Sequence, residues 1–140
     1  MAVGLKAKDK NELLIKMVDL AMNTENIIDK EKALSEIMQR ERIMSTGIGK
    51  GIALPHAKTK AIKCPVIAIA TLDQPVNFDS LDNKPVELVL LMLGEANKVT
   101  EHLKHISEIS HLFSINNILE AMLACRKVNE LYDVIYSQLK

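Results

Sequence analysis

Apolar residues recur at helical spacing through the first third of the chain. The first helix is predicted to follow Asp9, because Asp9 with Glu12 three residues later resembles a capping box. A second helix is predicted to begin near Asp29 and to end around residues 40–42. Both apolar stripes have a period of about 3.6 residues: Leu13, Leu14, Met17, Val18 and Ala21 in the first helix, and Ala33, Leu34, Ile37 and Met38 in the second.

The middle of the chain carries runs that are typical of strands. Residues 66–72 (VIAIATL) are rich in β-branched side chains, and residues 86–93 (VELVLLML) are continuously apolar, as in a strand covered on both faces. Residues 52–54 are expected to be extended, since Pro55 disfavours helical angles at the residue before it. Residues 73–75 (DQP) predict a turn between the two longer strands.

Helical patterns return in the last third of the chain. Thr100 is the predicted N-cap of a helix whose inner face carries Leu103, Ile106, Ile109 and Ser110. Further helices are predicted over residues 117–126 and 129–139. Helices, then strands, then helices predict an α/β fold with helices packed on a sheet. The sequence contains no repeat or linker, so residues 1–140 are expected to form a single domain.

Composition argues against several classes of function. The 18 basic and 18 acidic residues are interspersed and give no net charge, and aromatic residues make up only 3%, so a nucleic-acid partner is not expected. No apolar run approaches the roughly 20 residues that span a bilayer, and the N-terminus lacks a signal-peptide core. Cys64 and Cys125 are isolated, which predicts reduced thiols in a cytoplasmic protein.

The segment GIGKGIALPHAK, residues 47–58, is the main candidate for chemistry. Its glycines do not match a nucleotide-binding loop, because no Ser or Thr follows Lys50 and the G-x-G-x-x-G spacing is absent. Ser45 and Cys64 lack the sequence context of activated nucleophiles, so catalysis through either residue is poorly supported.

Three histidines lie close together in a later helix. His102 and His105 share a side of that helix, whereas His111 lies nine residues after His102 and therefore about half a turn away. The three cannot converge on one metal ion. A two-histidine site completed from elsewhere, for example by Glu101, stays open, and solvent-exposed or partly packed helix residues are the preferred interpretation of His105 and His111.

His56 is then the remaining candidate nucleophile. A neutral imidazole can accept a phosphoryl group and pass it on. Such a transfer needs positioning and stabilisation of the phosphoryl oxygens, which backbone N–H groups around glycines, an arginine and a second histidine can supply. From the residues alone, a structural histidine in a loop is an equally good interpretation of His56.

Three longer segments together resemble a known family. RERIMSTGIGKGIALPHAKTKAI, residues 40–62, resembles the active-site signature of the enzyme IIA domains of the fructose–mannitol class in the bacterial phosphoenolpyruvate:sugar phosphotransferase system. QPVNFDSLDNKPVELVLLML, residues 74–93, is similar to the strand pair of that family, and HLKHISEISHLF, residues 102–113, to one of its helices. The resemblance spans about residues 9–136 and extends to the nitrogen-regulatory IIA relatives.

The resemblance implies a mixed sheet flanked by helices on both sides and a histidine phosphocarrier. It implies that His56 is phosphorylated, with Arg40 near the phosphoryl group and His102 beside the first histidine. The glycines would let the chain fold tightly around the site and leave backbone donors free. The supporting loop is expected to consist of Thr46, Gly47, Gly49, Gly51 and Pro55. No metal and no small-molecule cofactor is implied.

The partners that the resemblance implies are proteins. The donor would be the small carrier protein HPr, and the acceptor a cysteine of a IIB domain in sugar-transporting members. Nitrogen-regulatory members act instead on target proteins through their phosphorylation state, and this alternative stays open. A binding module that has lost transfer is a third hypothesis, against which the joint presence of Arg40, His56 and His102 speaks. Neither nucleic acid nor direct membrane insertion is expected.

Two features depart from the family pattern. Only a few residues precede LKAKDKNELL, where family members usually have a short helix and a strand, so the chain is expected to be an excised domain, a trimmed form or a short homologue. The loop LGEANKVTEH lacks the proline that commonly follows the VELVLLML strand. Because this loop borders His102, its path determines where the second histidine lies.

Overall fold

A mixed sheet of six strands flanked by five helices makes up the part of the chain that the computed structural model describes, residues 1–22, 26–115 and 117–139. The strands are β1 (Ala2–Leu5), β2 (Gly47–Gly49), β3 (Ile52–Ala53), β4 (His56–Thr59), β5 (Val66–Val76) and β6 (Val86–Glu95). The helices are α1 (Lys10–Ala21), α2 (Lys30–Ile43), α3 (Val99–Phe113), α4 (Ile118–Leu123) and α5 (Val128–Leu139). The predicted fold class is confirmed.

Strand β6 is the centre of the sheet, whose order is β1-β5-β6-β3-β2. It pairs antiparallel with β5 on one side. On the other side it pairs in parallel first with β3 and then with β4, which follow each other along the chain. Strand β1 pairs in parallel with β5, and β2 pairs antiparallel with β3. This topology places His56, the first residue of β4, opposite Met92.

Two hydrophobic cores cover the two faces of β6. Val86, Val89, Leu91 and Leu93 belong to the core formed with α1 and α2, while Leu88, Leu90 and Met92 belong to the core formed with α3, α4 and α5. Successive side chains of a strand point to opposite faces, so a strand buried on both sides is apolar at almost every position. The sequence prediction for residues 86–93 is therefore confirmed. Among the described residues, no helix combines the length and apolarity that a membrane span requires.

The first two helices lie where the sequence predicts them. The Asp9 carboxylate accepts a hydrogen bond from the Glu12 N–H at 2.8 Å at the start of α1, and the Asp29 carboxylate accepts one from the Lys32 N–H at 3.1 Å at the start of α2. Such bonds satisfy N–H groups that have no partner within the helix. The predicted stripe of α1 is fully buried.

The turn predicted at residues 73–75 is wrong. Strand β5 continues to Val76, and its pairing with β6 becomes irregular between Thr71 and Val76. Pro75 has no N–H for the ladder, and this irregular, exposed stretch tolerates the loss. The chain reverses further on, where Asp79 and Asn83 adopt left-handed backbone angles.

The predicted start and inner face of α3 are also partly wrong. The helix begins at Val99 with Lys98 as its N-cap residue, and no side chain caps it, so Thr100 lies inside the first turn. Leu103 is 60% exposed and Ser110 is exposed, while Ile106 and Ile109 are partly buried. The buried residues of α3 are His102 and Leu112, which means that the inner face is centred on His102 instead of Leu103.

Three short strands are missing from the sequence prediction. Strands β1, β2 and β4 contain four, three and four residues, which is too short for a periodic pattern. Strand β1 occupies the few residues that precede LKAKDKNELL and pairs with β5. The N-terminal residues of this chain therefore contribute an additional strand to the sheet.

A tight hairpin joins β2 to β3. Gly49, Lys50 and Gly51 have φ angles of 92°, 58° and 82°. Positive φ at both central residues, Lys50 and Gly51, is the requirement of a type I′ hairpin turn. The Asp82 carboxylate accepts a hydrogen bond from the Lys50 N–H at 2.9 Å and ties the turn to the loop before β6.

We expect Lys50→Asn to raise the free energy of unfolding by about 0.5 kcal/mol, because asparagine tolerates left-handed angles better than lysine. Gly51→Ala should lower it by about 1 kcal/mol, since alanine is strained at this φ angle. Urea unfolding of both variants measures the two changes. A Lys50→Asn variant that is less stable than the original protein would contradict this description of the turn.

Candidate functional site

His56 lies at an exposed edge of the sheet between the two helical layers. It begins β4, whose side chains alternate so that Ala57 and Thr59 are buried while His56 is partly buried and Lys58 is exposed. Pro55 immediately before it is buried, and its carbonyl accepts the Met92 N–H at 2.9 Å. The backbone around His56 is therefore anchored to the central strand, while its side chain stays partly exposed.

One hydrogen bond defines the tautomer of His56. The ring nitrogen Nδ1 lies 2.8 Å from the carbonyl oxygen of Leu54. A carbonyl oxygen can only accept, so Nδ1 carries the proton and donates it. In a neutral imidazole the other nitrogen, Nε2, then keeps its lone pair. The geometry thus leaves Nε2 of this partly buried ring as the nitrogen with a free lone pair.

His102 packs beside His56 from α3. The two ring centroids are 5.8 Å apart and the planes are inclined by 46°. His102 is 4% exposed, and its Nδ1 is buried without a hydrogen-bond partner among the described residues. Its ring lies directly against Gly94 of β6, where an added Cβ would come within 2.7 Å of His102 Cγ. A glycine at position 94 is therefore what allows the second imidazole to lie this close to the sheet.

Burial is the main reason that both rings favour their neutral forms. Burial lowers the pKa of His56 and the positive charge of Arg40 adds to the lowering, while the hydrogen bond to Leu54 and the negative charge of Glu41 oppose it. Burial also lowers the pKa of His102 from 6.5 to about 4, assisted by the charges of His56 and Lys58. Both imidazoles are therefore available as uncharged groups at neutral pH.

Arg40 approaches the site from the last turn of α2. Its Nη1 donates a hydrogen bond to the Met44 carbonyl at 3.1 Å, which directs the side chain along the end of the helix. The guanidinium group is partly exposed and near enough to affect the pKa of His56. The structure thus packs His102 beside His56 and places Arg40 where its charge acts on the His56 imidazole.

The residues of the expected supporting loop separate into two groups. Thr46 and Pro55 are buried close to His56, and the Thr46 carbonyl accepts the Leu54 N–H at 2.9 Å. Gly49 and Gly51 lie in the hairpin, about five strand residues or roughly 16 Å from His56. Gly47 lies between the two groups, packed against Ser80. The hairpin glycines are thus too distant for their N–H groups to contact the His56 ring.

The other candidates from the sequence stay outside this cluster. His105 is partly buried and His111 is exposed on α3. Cys64 is partly buried, and burial raises the pKa of the Cys125 thiol. Across residues 1–22, 26–115 and 117–139, no three His, Cys, Asp or Glu side chains are grouped in a way that could hold a metal ion.

Comparison with known proteins identifies the family. Residues 1–138 match the family described as "Phosphoenolpyruvate-dependent sugar phosphotransferase system, EIIA 2". The chain belongs to this family. It is 32% identical over 119 residues to the "PTS system fructose-specific EIIA component" of Haloferax volcanii, which covers 85% of this chain and 77% of the relative.

Other members of the enzyme IIA family are similarly close. The chain is 32% identical over 133 residues to a "Nitrogen regulatory protein" of Bradyrhizobium diazoefficiens, covering 94% of this chain and 86% of the relative. Its fold matches that of enzyme IIA mannitol in the solved complex with phosphorylated enzyme IIB mannitol from Escherichia coli. That match has a TM-score of 0.81 at 18% identity and covers 96% of this chain and 94% of the other.

Two residues of this candidate site were missed by sequence reasoning. Gly94 interrupts an otherwise apolar strand, and a glycine inside a strand often marks a close approach by another group, so the signal was present. Glu41 falls four residues after buried Ile37, on the inner stripe of α2, and is only 8% exposed. A carboxylate on a buried stripe requires partners, which Thr46 and Lys10 provide.

We expect an NMR titration of the His102 ring to give a midpoint near pH 4, because burial disfavours the charged form. The unfolded chain takes up this proton near pH 6.5, so the unfolded state binds more protons between the two values. Stability should therefore fall as the pH drops through this window. Urea unfolding at several pH values measures the effect, which should be smaller in His102→Asn.

Gly94→Ala provides the matching test of the packing. The added Cβ must displace the ring, so the pKa of His102 should rise toward 6.5 in this variant. Gly51→Ala serves as a control, since it perturbs a glycine remote from the ring. A His102 midpoint near pH 6 in the unmodified protein, or an unchanged midpoint in Gly94→Ala, would contradict the buried arrangement.

Proposed function

We propose that this enzyme IIA chain is a phosphocarrier of the phosphotransferase system that acts as a single cytoplasmic domain over residues 1–140. His56 accepts a phosphoryl group from the phosphorylated histidine of HPr and passes it to a cysteine of a IIB domain for sugar uptake. The observation that carries the proposal is the hydrogen bond from His56 Nδ1 to the Leu54 carbonyl, which leaves Nε2 as the nucleophile. Family membership supports the same chemistry.

The transfer is a displacement at phosphorus. The Nε2 lone pair of His56 forms the new N–P bond while the N–P bond to the donor histidine breaks, and the electron pair returns to the donor imidazole. The Nδ1 proton stays on His56, and its hydrogen bond to the Leu54 carbonyl stabilises the positive charge that the ring acquires. In the second step a thiolate forms an S–P bond, and Nε2 recovers its electron pair.

Arg40 and His102 assist the phosphoryl group in different ways. Arg40 places a permanent positive charge near His56, suited to the developing charge on the phosphoryl oxygens. His102 is neutral and buried beside His56, so it supplies a hydrogen-bond donor without a competing charge. No metal and no small-molecule cofactor takes part in this proposal.

The decisive experiment is the intact mass of the protein after incubation with phosphoenolpyruvate, enzyme I and HPr. We expect one phosphoryl adduct that is lost in acid, because N–P bonds of phosphohistidine are acid-labile. His56→Ala should show no adduct. His111→Ala serves as the matched control, since it removes an exposed histidine from α3 and should leave the adduct unchanged.

Two outcomes of this experiment would contradict the proposal. A protein that stays unmodified with active HPr, or a His56→Ala variant that still acquires an acid-labile adduct, would overturn the assignment of His56. The first outcome favours a binding module that has kept the fold without transfer.

A nitrogen-regulatory role is the second candidate. It is favoured by the 32% identity to a nitrogen regulatory protein, equal to the identity to the fructose-specific relative. The chemistry at His56 would be the same, and only the partner would differ. Incubation of the phosphorylated protein with IIB domains separates the two roles, because a carrier loses its phosphoryl group to the IIB cysteine and a regulator retains it.

A further inference from the structure

The backbone next to His56 contains an incomplete pair of hydrogen bonds. Gly47 pairs with Ala53 in the antiparallel β2–β3 hairpin, so Thr46 and Leu54 are the next residues facing each other. Facing residues of a hydrogen-bonded antiparallel pair exchange two bonds, each N–H donating to the other carbonyl. Here only one forms, from the Leu54 N–H to the Thr46 carbonyl at 2.9 Å.

The donor and the acceptor of the missing bond each have another partner. The Thr46 N–H donates instead to the carboxylate of Glu41, at 3.2 and 3.3 Å from its two oxygens, and the Thr46 hydroxyl donates to the same group. The Leu54 carbonyl accepts from His56 Nδ1 instead. A carbonyl oxygen can accept two hydrogen bonds, and Glu41 therefore prevents the Thr46 N–H from sharing the Leu54 carbonyl with His56.

We propose that Glu41 is a positioning residue for phosphoryl transfer, because by binding the Thr46 N–H it keeps the Leu54 carbonyl available to hold the proton of His56 on Nδ1. The expected effect on phosphoryl transfer rests on the proposed phosphocarrier function. The expected effect on the His56 tautomer does not. Glu41 does not contact the phosphoryl group; it acts through Thr46 and Leu54.

Several contacts hold the Glu41 carboxylate in place. Glu41 is 8% exposed, and Lys10 of α1 pairs with it at 2.8 Å. Lys10 also donates to the Phe78 carbonyl at 3.3 Å and lies 4.5 Å from the centre of the Phe78 ring. The Phe78 carbonyl further accepts the Ser45 hydroxyl at 2.8 Å. These contacts hold the carboxylate between α1 and the start of β2, in reach of Thr46.

The test compares two substitutions of Glu41. Glu41→Met removes the acceptor, so the Thr46 N–H is free to bind the Leu54 carbonyl and weaken the bond that His56 donates to it. Glu41→Gln keeps an acceptor oxygen and should behave like the original protein. The tautomer is read from the ¹⁵N chemical shifts of the His56 ring in the unphosphorylated protein, and phosphorylation by HPr is measured separately.

We expect Glu41→Met to shift His56 from the Nδ1–H form toward the Nε2–H form and to slow phosphoryl transfer by about tenfold, mainly in kcat. Glu36→Met is the matched control, since it removes a Glu–Thr bond of the same helix, from the Thr59 hydroxyl at 3.0 Å, without touching Leu54. A folded Glu41→Met variant with the original His56 tautomer, or an equal tautomer change in Glu36→Met, would overturn the proposal.

A measurement on the original protein covers the case in which Glu41→Met does not fold. Scalar couplings across hydrogen bonds should link the Leu54 nitrogen to the Thr46 carbonyl carbon, and should be absent between the Thr46 nitrogen and the Leu54 carbonyl carbon. A coupling in that second direction refutes the proposal. Because neither NMR readout requires HPr, a failure of the phosphocarrier function is distinguishable from a failure of this inference.

Discussion

The pairing of β4 with the central strand β6 is the interaction on which the site depends. It sets His56 opposite Met92 and places Gly94 opposite Lys58, two residues further along. The ring of His102 lies against Gly94, so one strand determines the positions of both imidazoles. Since β6 is buried on both faces, it belongs to the part of a fold that opens least readily. The pairing of β4 with β6 and the packing of His102 on Gly94 together set the 5.8 Å separation of the two rings.

The same burial that positions the rings also selects their charge state. Burial favours the neutral form of an imidazole. The charge of Arg40 acts in the same direction on His56 and that of Lys58 on His102, while Glu41 opposes the shift at His56. In the proposed transfer a dianionic phosphoryl group enters this environment. The cations that disfavour a protonated ring then stabilise the phosphoryl oxygens, so one set of charges serves both the nucleophile and its product.

The sequence predicts the elements that are long enough to show a period. Helix α1, helix α2 and strand β6 are of this kind, whereas Arg40 and His102 were predicted from the family resemblance of residues 40–62 and 102–113. The phase of α3 could not be obtained in this way, because apolarity favours Leu103 as the inward residue, whereas the space above Gly94 admits the ring of His102. Glu41 was likewise hidden, since its burial depends on Lys10 and a loop that are distant in sequence.

The glycine-rich segment contributes to the site through register. Gly51 permits the left-handed angles of the hairpin turn, which sets Gly49 opposite Ile52. A register shift between Gly47 and Gly49 then sets Gly47 opposite Ala53 and hence Thr46 opposite Leu54. A slip of one residue between the two strands would bring a different residue opposite Leu54, so the Thr46 N–H would no longer face the carbonyl that His56 uses. The glycines therefore act on the site indirectly. The turn and the register together determine which residue faces Leu54, whose carbonyl accepts the hydrogen bond from His56.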